Sequence, residues 1–82
     1  MYKRQREFIQ LAYEVDRICD SMASWETKYD MVFSDEVSNR MHELVTFDYY
    51  DPDTTYEEDV RAFRNAVMEK ARELEIVIGD AA

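Results

Sequence analysis

One cysteine, one histidine, one proline, one glycine and one tryptophan are all this 82-residue chain has of those types, and it carries only ten Lys and Arg against nineteen Asp and Glu. Each scarcity excludes something. A lone Cys19 forms no internal disulfide framework. Gly79 and Pro52 alone cannot supply the turns that sandwiches and barrels need, so the composition calls for helices. The chain has neither a secretory apolar region nor the roughly 18 unbroken apolar residues of a membrane span, and the expectation is a cytoplasmic protein. A net charge of −9 opposes approach to a phosphate backbone, which argues against direct nucleic-acid binding.

What is present is enough for one small domain over residues 1–82. A hydrophobic fraction of 46% beside 35% charged residues marks a globular chain and lies away from disorder. At this length a domain buries somewhat over half the surface of its unfolded chain, so stability is modest. Residues 1–5, Met-Tyr-Lys-Arg-Gln, are what GTG-TAT-AAG-AGA-CAG encodes. That string resembles the end of a transposase-based sequencing adapter, so these residues are expected to be a non-native scar on a gene of metagenomic origin. Without Lys3 and Arg4 the net charge moves from −9 to −11.

Apolar periodicity gives the elements. Phe8, Leu11, Val15, Ile18 and Met22 follow one another at spacings of 3, 4, 3 and 4, which predicts a first helix over about residues 4–23 with one buried stripe. Residues 24–33 place Trp25, Tyr29, Val32 and Phe33 at helical spacing and read as a short helix or a turn. Ser34 suits an N-cap, with Asp35 and Glu36 in the favourable first turn, and Val37, Met41, Leu44 and Val45 form the inner face of a helix near 34–46. Pro52 breaks the chain. Beyond it Thr55 and Glu58 fit a capping box, and Tyr56, Val60, Phe63, Val67, Ala71 and Leu74 give a stripe that Gly79 is expected to end. The fold class is all-α, a small bundle of three main helices with 24–33 as a candidate short fourth.

No motif points to catalysis, and the expectation is that the chain is not an enzyme. Cys19 and His42 would form a nucleophile pair only if the fold joined them; the ordinary readings are a small buried thiol and a surface imidazole. No metal or cofactor is expected. A helical di-metal site needs Glu three residues before its His, and that residue is Asn39. A calcium loop starting at Asp51 would need glycine where Tyr56 stands and glutamate where Ala62 stands. Arg61, Arg64 and Arg72 offer a basic face on the last helix, which Glu57, Glu58, Glu69 and Glu73 offset at helical spacing.

The charge is unevenly placed. Residues 42–82 hold eleven acids against four bases, and residues 1–41 eight against six. The densest run is Asp48-Tyr49-Tyr50-Asp51-Pro52-Asp53-Thr54-Thr55-Tyr56-Glu57-Glu58-Asp59. Part of it suits the positive end of a helix, since Asp53 helps to cap and Glu57, Glu58 and Asp59 face the dipole. Tyrosine is a favoured interface residue because a rigid ring buries much area at little entropic cost. Asp48, Asp51, Asp53, Glu57, Glu58 and Asp59 are therefore the candidate charges for a protein partner, with Tyr49 and Tyr50 as anchors. In general character, short and acidic and without catalytic residues, the chain resembles anti-CRISPR and other DNA-mimic inhibitors, though no motif ties it to a family. That resemblance implies a phage-encoded inhibitor, acting in the host cytoplasm on the basic nucleic-acid-binding surface of a partner. The alternative is a helical interaction module: an adaptor, an antitoxin-like partner or a self-associating subunit, a homodimer included.

Overall fold

The computed structural model describes residues 2–45 and 55–81, with side chains through residue 79. The described residues form four helices and no strand: α1 (Lys3–Cys19), α2 (Trp25–Val32), α3 (Asp35–Leu44) and α4 (Tyr56–Ala81). α4 is the spine. Its 26 residues, at about 1.5 Å rise each, match the 40 Å long axis of the molecule. α1 packs along α4, α2 against α4 and α1, and α3 against α1.

The stripes read from the sequence meet in one core. Phe8, Leu11 and Val15 of α1 join Val60, Phe63, Val67, Ala71 and Leu74 of α4, with Ala12, Val32 and Met41 completing the buried set. Ile18, Trp25, Tyr29, Phe33, Val37, Leu44 and Val45 pack around its edge. Burying a side chain such as Phe8 or Val67 is worth about 1.5–3 kcal/mol, which is what orders helices too short to persist alone.

Local chemistry sets the starts. Ser24 is extended and accepts from the Thr27 amide at 3.2 Å, making residues 25–32 a helix of their own. Ser34 caps α3 in the same way, accepting from the Val37 amide at 3.4 Å. At the start of α4 the expected box closes in both directions: Thr55 Oγ1 accepts from the Glu58 amide at 3.3 Å, and Glu58 Oε2 accepts from the Thr55 amide at 3.2 Å.

Three expectations are corrected. α1 stops at Cys19 instead of near 23, and Met22 is fully exposed, because the chain turns through Asp20 to reach the Ser24 cap. Gly79 does not end α4, which continues to Ala81; its φ is not positive, so it never enters the left-handed conformation that makes glycine a stop. Tyr56 is half-exposed, since as the first residue of α4 it lies at the end of the stripe and packs its ring on Tyr29 instead.

Candidate acidic surface and its aromatic corner

The corner where α2 meets the first turn of α4 collects most of the features that bear on binding. Tyr29 and Tyr56 stand edge to face with centroids 5.2 Å apart, which places that first turn beside α2. Tyr29 also packs on Phe33 at 4.5 Å, and Phe33 on Phe63 of the core at 4.8 Å. The corner is thus built on a row of rings running inward from the surface, an arrangement that holds it rigid.

The three described members of the acidic run at this corner have separate structural tasks. Glu57 pairs with Arg61 one turn on, at 3.0 Å. Glu58 is occupied by the capping box. Asp59 is buried, at 7% exposure, so its carboxylate is not offered to a partner as those of Glu57 and Glu58 are. Asp48, Tyr49, Tyr50, Asp51 and Asp53 lie outside the described residues, as does Phe47.

A second acidic surface, which sequence reasoning missed, lies on α2 and the start of α3. Asp20, Glu26, Asp30, Asp35 and Glu36 are all exposed, and from residue 18 to residue 39 the one base is Lys28. Lys28 is turned inward. Its stem shares the inner stripe of α2 with Trp25, Tyr29 and Val32, and at 6% exposure it adds almost no positive charge to the surface. Its Nζ donates to the Cys19 carbonyl at 2.7 Å, at the C-terminus of α1 where carbonyls lack helical partners and the dipole favours a cation. The same Nζ lies 4.0 Å from the centroid of Trp25.

The molecule thus withdraws the only base of this stretch and leaves carboxylates outside. A tally over residues 18–39 would have exposed the imbalance; what it would not have shown is that Lys28 faces in. Glu26, Asp35 and Glu36 lie in first turns, where the dipole favours acids. Asp30 has no such support, and stands one turn from Glu26 on the same helix face, a like-charge pair that costs about 0.2–0.5 kcal/mol.

No protein-family model, no curated protein and no solved structure matches this chain.

The remaining candidates stay apart. Cys19 is half-buried and lines a cavity that does not include His42, which is exposed on α3. Burial pushes the Cys19 thiol above its ordinary value, although nearby Arg64 pulls the other way, so the nucleophilic thiolate is disfavoured. Among the described residues no group of three His, Cys, Asp or Glu is placed to hold a metal ion. No described helix is long and apolar enough to cross a membrane. On the basic face of α4 that acids were expected to offset, Arg61 pairs with Glu57, while Arg64 turns to Asp16 of α1.

Proposed function

We propose that this protein is a small acidic binding protein, not an enzyme, that occupies the basic, nucleic-acid-binding surface of a protein partner and so blocks it. The observation that carries the reading is the inward turn of Lys28, which leaves the exposed Glu26, Asp30, Asp35 and Glu36 without an exposed base until Arg40, one turn beyond Glu36 on α3. Carboxylates one helical turn apart, such as Glu26 and Asp30, stand roughly 6 Å from each other, a spacing suited to a groove built for successive phosphates. Asp48, Asp51, Asp53, Glu57 and Glu58 extend the same charge in this reading, with Tyr49 and Tyr50 as anchors. Phage-encoded inhibitors of host nucleases work in this manner, and a host cytoplasm is the setting the reading implies.

A second reading is favoured by the half-exposed Tyr56 beside Tyr29: a helical interaction module that binds through its rings, with charge serving solubility. Salt separates the two, because attraction between exposed charges is screened within about 10 Å at 0.1 M salt and apolar packing is not. The test is capture of partners from a host lysate at low and moderate salt. The bait is the wild type, a Glu26→Gln, Asp30→Asn, Asp35→Asn, Glu36→Gln variant, or one with Asp48, Asp51, Asp53, Glu57, Glu58 and Asp59 made neutral. A nucleic-acid-binding protein held by the wild type alone, released by salt and displaced by its own nucleic acid, is the expected result. The same partner held by all three at both salt concentrations would overturn the mimic reading in favour of the aromatic one.

A further inference from the structure

A cavity of about 400 Å³ opens between the end of α1, α2 and the middle of α4, lined by Cys19, Asp20, Trp25, Lys28, Arg61, Arg64 and Asn65. Three of the chain's ten bases gather there, in a protein whose surface is otherwise dominated by acids. Their partners differ. Arg64 gives both Nε and Nη2 to Asp16 Oδ1 at 2.7 Å, and its Nη1 faces Asn65 Oδ1 at 3.4 Å. Arg61 is held by Glu57 on one side, and its guanidinium lies 4.7 Å from the centroid of the Trp25 ring. Lys28 has no carboxylate within ion-pair distance among the described residues, and donates only to the Cys19 carbonyl. Lys28 is 6% exposed as a residue, and its ammonium keeps protons to spare on the wall of a cavity that a ligand can fill.

We propose that this cavity is a binding site for a small oxyanion, a phosphate or carboxylate group held by Lys28, Arg61 and the amide of Asn65 beside Trp25. Lys28 supplies a charge held in place by the Cys19 carbonyl and the Trp25 ring. Arg61 is exposed and can swing from Glu57 to the ligand, exchanging one surface ion pair for another at little cost. Asn65 offers an amide whose oxygen alone is engaged, by Arg64. Asp20 is the one carboxylate lining the cavity; it opposes an anion, and being exposed it does so weakly. The site shares the orientation of Lys28 with the acidic surface on α2 and α3, but Arg61→Gln and Asp20→Asn leave Glu26, Asp30, Asp35 and Glu36 in place, so titrations of those variants test the site apart from that surface.

Trp25 is the only tryptophan of the chain, so its fluorescence reports on this cavity alone. The protein is titrated with inorganic phosphate and, separately, with acetate, each against sodium chloride of matched ionic strength. Saturable change in Trp25 emission with phosphate or acetate and not with chloride is expected, the stronger of the two identifying a phosphate-bearing or a carboxylate-bearing ligand. Arg61→Gln, an exposed change that leaves the core untouched, should weaken binding about two- to fivefold, and Asp20→Asn should tighten it by a similar factor. Lys28→Met should abolish it; if that variant unfolds, the other two still decide. Responses no different from chloride, an Arg61→Gln titration identical to wild type, or an Asp20→Asn variant that binds more weakly would each overturn the proposal.

Discussion

Asp16 of α1 and Arg64 of α4, separated by 48 residues in sequence, are joined by two contacts of 2.7 Å onto a single carboxylate oxygen, from Nε and from Nη2. This pair fixes how far along α4 the end of α1 sits, and therefore where Cys19 and Asp20 come to line the cavity. Both side chains are partly shielded, at 40% exposure for Arg64 and 26% for Asp16, and the geometry uses the guanidinium fork. Asp16→Ala and Arg64→Ala should each cost about 1 kcal/mol. A double-mutant cycle by urea denaturation should return a coupling at the upper end of the surface range, near 1 kcal/mol. A coupling of zero would mean that packing alone sets the position of α1.

Phe8 and Met22 were expected to share one stripe and occupy opposite environments. Phe8→Ala empties a fully buried site and should cost about 3–5 kcal/mol, enough to unfold much of the population of so small a domain. Met22→Ala should change stability by less than about 0.5 kcal/mol, since the side chain is fully exposed. Thermal melts of the two variants check the end of α1 directly.

Gly79 and Thr55 test the two ends of α4. A Cβ at Gly79 meets nothing within 4 Å, so Gly79→Ala should stabilise by up to about 1 kcal/mol, less if the last turn frays. Thr55→Ala removes a reciprocal cap and should cost about 1 kcal/mol. Loss of stability in the glycine variant would restore the reading of residue 79 as a helix stop.

Glu26 and Asp30 are predicted to be retained for binding at a cost to folding. Asp30→Asn should stabilise by about 0.2–0.5 kcal/mol through relief of the like-charge pair, while weakening capture of a basic partner. Improved stability with unchanged capture would show that this surface only keeps the protein in solution.

Cys19 and Tyr13 give the pH dependence. Burial raises the Cys19 thiol, and the hydrogen bond from Tyr13 to Glu75 at 2.6 Å raises the phenol, whose ionisation would set two anions together. Both groups hold their protons longer in the folded chain than in the unfolded one. What they contribute is therefore complete below their unfolded values and is lost as pH climbs through the raised folded values. Stability should fall on the alkaline side, and Tyr13→Phe should reduce that fall. Alkylation of Cys19 near neutral pH should run slower than that of a free cysteine thiol and accelerate on urea unfolding.

The sequence by itself determined the helical class, the buried stripes of α1 and α4, and two starts, at Ser34 and Thr55; residues 24–33 it left as a short helix or a turn, and the Ser24 cap decided for the helix. These follow from spacing and from side chains that bond amides three residues away, which are local and therefore legible. It set the end of α1 too late and the end of α4 too early. α1 stops where its next turn finds no surface on which to bury Met22, whereas α4 runs on past Leu74, its last buried residue, because Gly79 keeps a helical backbone and nothing breaks the ladder. The acidic run read along the chain divided once the helices packed, with Glu57 in an ion pair, Glu58 in a cap and Asp59 buried. The acidic surface on α2 and α3 and the basic cavity behind it both depend on the direction in which Lys28 points. Only the tertiary structure decided that, because the end of α1 and the ring of Trp25 make the interior acceptable to a cation, and neither is visible until the helices meet.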